Sequence, residues 1–345
     1  MFFRSLAIAA AAATGLGMAS VAGHAADDAL VKAAQKEGSV TWYSGMIMNQ
    51  AVRPMVDAFQ KKYPGITVNA ARHTSSEVVL KVQSEARAGK PQADVFDGSA
   101  AVFPLMTAGL VEPFKAPSAA GYDPRNKQKD GYWTAENLYF LVPAVNTTIV
   151  SKDEYPDTFE KLLNPKWKGR IAWTSDPTML GPPGFIYNVL QTMGQDKGMT
   201  YLQKLAEQKV ANVPASQRVV LDKVISGEYA IGLMTFNNHS VISAEKGAPV
   251  AWVKLDPVIQ AVNPLAIVKN APHPNAAKLL VDFILSEEGQ TVLKKALYIP
   301  ANPEVDSADP ELKPKGGGFE VRVVSPEETA DKLKSMVSLY DKMFK

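Results

Sequence analysis

Val40-Thr-Trp-Tyr-Ser-Gly45 is an apolar, strand-forming run that breaks into a small polar turn. An amphipathic stretch follows, with Val52, Met55, Val56 and Phe59 at helical spacing until Pro64-Gly65 stops it. The same order then repeats. Ile66-Thr-Val68 reads as the next strand, with Arg72 at its end, and Thr74-Ser-Ser-Glu77 has capping-box spacing ahead of Val78, Val79, Val82 and Ala86. Ala93-Asp-Val-Phe96 ends at Gly98-Ser99, before another short helix. Strand, polar turn and helix, three times over, is the wiring of an open parallel sheet, whose ligands bind beyond the carboxyl ends of the strands.

Further along, Pro113, Pro117, Gly121, Pro124 and the charged run 125–130 predict a surface connection. Tyr139–Val145 reads as a long apolar extended segment. A second α/β set runs from Gly169-Arg-Ile-Ala-Trp173, through helices near Gly184–Met193 and Met199–Gln208, to the strand Tyr229–Met234. Val258–Val262 and Leu265–Val268 form another extended pair, interrupted by Asn263-Pro264. Pro274–Leu285 is the strongest helix, and Ser325-Pro-Glu-Glu328 opens an amphipathic helix to Phe344. Gly316-Gly-Gly318 reads as a flexible link. Two α/β halves joined by two extended segments predict two lobes, a ligand cleft between them and a two-segment hinge. The expected division is 27–135 plus 266–305 for lobe one, 136–265 for lobe two, and 306–345 as a linker and helix packing on both.

Composition narrows the function. The 345 residues carry 37 Lys plus Arg against 35 Asp plus Glu, a formal charge of +2, and that balance argues against a nucleic-acid partner. With no cysteine, disulfides, thiol nucleophiles and thiolate metal sites are impossible. Arg4, the apolar run from Leu6 and the small-residue exit to Ala25-Ala26 have the three parts of a secretory signal peptide, expected to be cleaved after Ala25. The run is far shorter than the ~20 residues of a spanning helix, so an exported periplasmic protein is expected. No Gly-x-Ser-x-Gly elbow, Walker A loop or His-Glu-x-x-His is present, and His73, His239 and His273 are unframed by any motif. A secreted hydrolase is therefore the weakest reading, and no catalytic residue, cofactor or resident metal is expected.

Several phrases, taken in order, resemble a known group. They are Val40–Gly45, Phe59–Val68, Gln92–Ser99, Phe159–Ile171, Gly227-Glu228 and Lys269–Gln290, the last containing Asn-Ala-Pro-His-Pro-Asn-Ala-Ala. This chain is similar to the periplasmic solute-binding proteins of ABC importers, in the ferric-iron-binding-like branch of the type II periplasmic binding fold. The resemblance implies a non-enzymatic protein that captures a small-molecule ligand and delivers it to an ABC permease and ATPase complex in the inner membrane; two lobes around a cleft predict hinge closure, and the near-neutral charge with mixed-sign helices predicts a monomer.

The turns ahead of helices supply the candidate binding residues, because a helix N-terminus presents unpaired N–H groups and a positive dipole end. In the first half these are Ser44, Gly45, Met46, Arg72, His73, Thr74, Ser75, Gly98 and Ser99. In the second they are Thr178, Met179, Leu180 and Gly181, with Asn237 and Asn238. Arg72 and Arg218 are candidate anion clamps, and Tyr43, Tyr139 and Trp173 candidate walls. The resemblance implies a tyrosine pair after the Gly-Glu strand in iron-binding members, where this chain has Phe236-Asn237-Asn238-His239. The family's first-lobe histidine falls near Met46, while Glu77 matches either an acidic iron ligand or a helix cap. These departures favour a small organic anion (carboxylate, phosphonate or phosphate ester) over ferric iron or an iron–anion complex.

Overall fold

A computed structural model describes residues 28–345, so the expected signal peptide, residues 1–25, lies outside the described residues. The strands are β1 (Ser39–Ser44), β2 (Thr67–Arg72), β3 (Val95–Asp97), β4 (Val111–Glu112), β5 (Thr134–Asn146), β6 (Ile171–Thr174), β7 (Ala211–Val213), β8 (Ile231–Phe236), β9 (Val250–Trp252), β10 (Val258–Val268), β11 (Ile299–Pro300) and β12 (Val321–Val324). The main path runs β2-β1-β3-β10-β5-β8-β6-β7. β1 pairs parallel with β2 and β3, and β6 pairs parallel with β7 and β8. Between these parallel sets lie two long strands, β10 and β5, antiparallel to each other and to their outer neighbours.

Each long strand serves one lobe at each end. Leu265–Ile267 of β10 pair with β3, whereas Val258–Ala261 pair with β12. Leu138 and Asn137 of β5 pair with β11, whereas Leu141–Val145 pair with β8. All 11 residues of β10 are buried, as are 12 of the 13 in β5. That burial explains why both read as apolar runs without alternation. The sequence predicts a break at Asn263-Pro264, but β10 runs through it. A register shift against β5 there accommodates the proline, and the Pro264 carbonyl accepts the Gly98 N–H (3.2 Å).

The hydrophobic interior falls into two large clusters. One gathers Trp42, Phe59, Phe96, Leu105 and Phe283; the other gathers Leu162, Trp167, Trp173, Phe185 and Tyr340. The amphipathic helix Pro274–Leu285 buries Ala276, Ala277 and Leu279–Leu285 in the first. Residues 113–133 are more than a surface connection. Ala116, Ala119, Tyr122 and Trp133 are buried, with the Tyr122 hydroxyl donating to the Leu285 carbonyl (2.8 Å). The glycine run at 316–318 is likewise a packed turn, since a Cβ on Gly316 would lie 2.1 Å from the Pro310 carbonyl oxygen. The C-terminal helix Pro326–Phe344 is capped by Ser325, and its first turn ties the clusters together. Trp133 donates to Glu327 (3.0 Å), and Tyr187 of the second cluster donates to Glu328. Among the described residues no helix is long and apolar enough to cross a membrane.

Phe283 sits edge-on to Phe59 and Tyr63 (centroids 5.5 and 6.2 Å) and is 2% exposed. Phe283→Ala should therefore cost about 3–5 kcal/mol, read as a lower urea midpoint at an unchanged slope.

Candidate functional site: the interlobe cleft

The carboxyl ends of β1, β2 and β3 open into a cleft that the second lobe faces across the two long strands. One cavity of about 430 Å³ is bounded by Gly45, Arg72, His73, Thr74, Ser75, Glu77, Gly98 and Ser99 on the first side. Tyr139, Leu180, Gln217, Phe236 and Asn263 complete its far wall and floor. A contiguous cavity of about 260 Å³ shares Thr74, Ser75, Ser99 and Leu180 and extends past Thr178, Met179 and Asp176 to Pro326 and Thr329 of the C-terminal helix.

The first side is built to donate hydrogen bonds. Thr74 caps the helix Ser75–Arg87: its hydroxyl accepts the Glu77 N–H, and Glu77 accepts the Thr74 N–H (2.7 Å). That bond, with the Thr74 hydroxyl, holds the Glu77 carboxyl below the usual range. Glu77 is thus spoken for as a cap. Capping uses the N–H of the third helical residue and leaves the Ser75 and Ser76 N–H groups uncapped at the positive end of the dipole, on residues that line the cavities. Arg72, the last residue of β2, is exposed and has no ion-pair partner among the described residues. Gly98 has φ +142°, and a Cβ there would lie 2.8 Å from the Ser75 hydroxyl. Only glycine lets these two turns meet.

Some predicted residues stand elsewhere. Ser44 is fully buried, its hydroxyl accepting the Met46 N–H, and Met46 is itself a core residue. Both follow from β1 ending beneath the cleft. Asn237 and Asn238 are buried too, their amides donating to the Leu312 and Leu297 carbonyls. They fasten the C-terminal part of the chain and do not line either cavity. Gly181 is the cap of the helix Pro182–Met193, where a Cβ would meet the Asp176 carbonyl at 2.3 Å; at Gly184 it would meet that of Met179 at 1.9 Å. These glycines let the loop 176–181 fold on itself, with Gln217 donating to the Leu180 carbonyl (3.0 Å). Arg218 pairs with Asp222 and Ser243, Trp173 is core, and Tyr43 donates to Glu85.

The cleft floor is a polar knot that pattern reading misses. Asn263 of β10 donates to Glu136 of β5 (2.6 Å) and lies 3.4 Å from Asp97 at the end of β3. Asp97 also accepts the Gly45 N–H (2.7 Å) and the Trp42 indole N–H (3.0 Å). Burial pushes the Asp97 carboxyl up to about 6 against those donors, and pushes Glu136 well above the usual range, reinforced by the Asp97 charge. The signal in the sequence is an acid just ahead of the apolar run Tyr139–Val145.

A second constellation of polar side chains lies outside the cleft. His273 Nε2 lies 3.1 Å from the Ser39 hydroxyl, and its Nδ1 lies 2.9 Å from buried Asp94. The residues have the types and order of a hydrolase triad. They sit at the opposite ends of β1 and β3 from the cleft, however, and the adjacent helix N-terminal N–H groups of Asn275 and Ala276 already bind Glu37. With a carboxylate in the place of an oxyanion, the arrangement works as a stitch, since Asp94 also accepts the Thr41 and His273 N–H groups.

Residues 54–320 match the model of the bacterial extracellular solute-binding protein family. The chain belongs to that family. It is 26% identical over 325 residues to the major ferric iron-binding protein of Neisseria meningitidis serogroup B, covering 88% of this chain and 94% of the relative. It is 22% identical over 270 residues to the Fe(3+)-binding periplasmic protein of Serratia marcescens, covering 76% and 78%. Among solved structures, the periplasmic binding protein AfuA of Actinobacillus pleuropneumoniae with exogenous fructose-6-phosphate bound superposes with TM-score 0.72 at 24% identity, covering 89% of this chain and 98% of that one. Iron-bound HitA of Pseudomonas aeruginosa gives 0.71 at 22%, covering 87% and 98%. The fold is accordingly the two-lobed, type II periplasmic binding fold. The role is that of the substrate-binding component of an ABC importer, in a family of solute-binding transport proteins that work with membrane permeases.

Gly98→Ala should cost about 1–3 kcal/mol, because the backbone there is open essentially to glycine alone. Urea denaturation measures the loss, and Val95→Ala, elsewhere in the same strand region, controls for a general core effect.

Proposed function

We propose that this family member captures a small organic anion, a carboxylate, phosphonate or phosphate ester, and delivers it to its permease and ATPase as a monomer after hinge closure. The observation that carries the reading is Arg72: a guanidinium at the cavity wall, without a carboxylate partner among the described residues, beside the free N–H groups of Ser75 and Ser76. Charge-assisted donors of this kind suit carboxylate or phosphate oxygens. The candidate residues that share the cavity with Arg72 are Gly45, His73, Thr74, Ser75, Gly98, Ser99 and Leu180, with Thr178 and Met179 next door.

The donor set supports an anion over bare ferric iron. Hard Fe³⁺ calls for phenolates or carboxylates. Of the aromatic residues on this wall, Phe236 has no hydroxyl, and burial pushes the Tyr139 phenol up, away from phenolate. Glu77 is committed to its cap. Among the described residues no group of three or more His, Cys, Asp or Glu side chains could hold a metal. The two relatives with iron in their names and the sugar-phosphate-bound neighbour bracket the choice, and the residues of this cleft side with the latter chemistry.

A thermal-shift panel of inorganic phosphate, fructose 6-phosphate, citrate, 2-aminoethylphosphonate and ferric chloride tests this. A cognate anion at a hundred times its Kd should stabilise the fold by about 2.7 kcal/mol. Arg72→Ala should weaken that anion by about 1.5–3 kcal/mol, ten- to over a hundredfold in Kd. Stabilisation by ferric chloride with a visible phenolate band, and none by any anion, would overturn the reading.

A further inference from the structure

Glu136 is a fully buried acid in one of the two long strands, a costly residue at such a place. It sits where the β10–β5 register shifts: Asn263 is opposite Asn137 and Pro264 is opposite Ala135, so Glu136 has no residue across from it. Its Oε1 accepts the Asn263 amide at 2.6 Å, its Oε2 has no hydrogen-bond partner, and Asp97 lies on the other side of the same amide. Asn263 forms part of the cleft floor.

The surroundings offer no cation to either carboxyl. From the segments packed around Glu136, the ionisable groups that feel its charge are Asp97 of β3, Tyr122 of the segment before β5, Tyr139 of β5 itself and Tyr298 beside β11. Asp282 acts on Tyr122, and Arg72 acts on Tyr298 from the cleft side. Two carboxyls sharing one amide in the interior cannot both be charged at low cost, so the pair retains a proton. Asp97 has three further donors, the Ser44 hydroxyl, the Gly45 N–H and the Trp42 indole, that favour its charged form. Glu136 has none besides Asn263. The proton therefore rests on Glu136.

We propose that Glu136 is a positioning residue for ligand capture: held neutral, it orients the Asn263 amide and keeps a second negative charge from beneath the anion site. The proposal rests on the anion reading above. With its Nδ2 hydrogens turned to the two acids, Asn263 has its amide orientation fixed. Loss of the Glu136 proton puts an uncompensated charge at the hinge, directly below where the anion binds. Affinity then falls as pH rises, because the bound state holds a proton that the free protein gives up.

Glu136→Gln, which keeps the shape and the neutral state, supplies the test. In the ligand-free protein at neutral pH, the infrared C=O stretch of a protonated carboxyl should be present in the wild type and lost in Glu136→Gln. Calorimetric titration with fructose 6-phosphate should show a wild-type Kd that weakens by up to about tenfold per pH unit on the alkaline side. The ratio to the Kd of Glu136→Gln removes the titration of the phosphate itself, and the variant should lack the wild-type loss. Wild type alone gives a second check, since the infrared band and the affinity should disappear with one midpoint. A missing band, or parallel pH profiles for the two proteins, would overturn the proposal. Failure of all four anions of the thermal-shift panel to bind either protein would sink the anion reading and the coupling with it, while the infrared band would still decide the proton.

Discussion

The antiparallel pairing of β5 with β10 is the constraint on which the rest of the molecule depends. Their registers carry two parallel sets of strands at opposite ends, so the place where the lobes part is fixed by the middle of those strands. The sheet there is neither a uniform ladder nor purely apolar. A register shift, a proline and a buried Glu–Asn–Asp cluster occupy the crossing. A fully apolar crossing would bury the same surface with less desolvation cost. The polar alternative supplies a directional fastening between β3, β5 and β10 at the one level where the cleft opens.

From that constraint the electrostatics of the cleft follow. Parallel strands on the first side end together, so the turns after β1, β2 and β3 converge, and the helix after Thr74 begins at the wall of the gap. Positive potential from Arg72 and the helix end stands over a floor containing two acids. The floor is compatible with an anion only because one acid is neutral and the other is surrounded by donors. Capping the helix with Glu77 and building the far wall from Tyr139, Phe236 and Leu180 leave few carboxylates free to hold a metal cation.

Local signals reach a long way in this chain. The capping box at Thr74, the glycine at 98, the proline-led helix at 274 and the cap at Ser325 are visible because each is enforced within a few residues. They also locate Arg72, Ser75 and Ser99, since the ends of parallel strands share a face. What pattern cannot supply is the partner of a polar group distant in sequence. Asn237 and Asn238 look like cleft amides until Leu312 and Leu297 are found accepting their hydrogens. Ser39, Asp94 and His273 have no motif spacing, yet fold into one hydrogen-bonded line. Pro264 reads as a strand break because periodicity carries no information on a register shift. Glycines at 181 and 184 signal a close approach without saying to what, and it proves to be the chain's own carbonyls.

The central claim is that the cleft receives an organic anion, and the cargo carried by protein isolated gently from bacterial culture addresses it most directly. Native mass spectrometry of that material, followed by fragmentation of the released ligand, should show one small phosphate-, phosphonate- or carboxylate-bearing molecule per chain and no metal. A mass excess of a single iron, retained with or without a companion anion, would contradict the account.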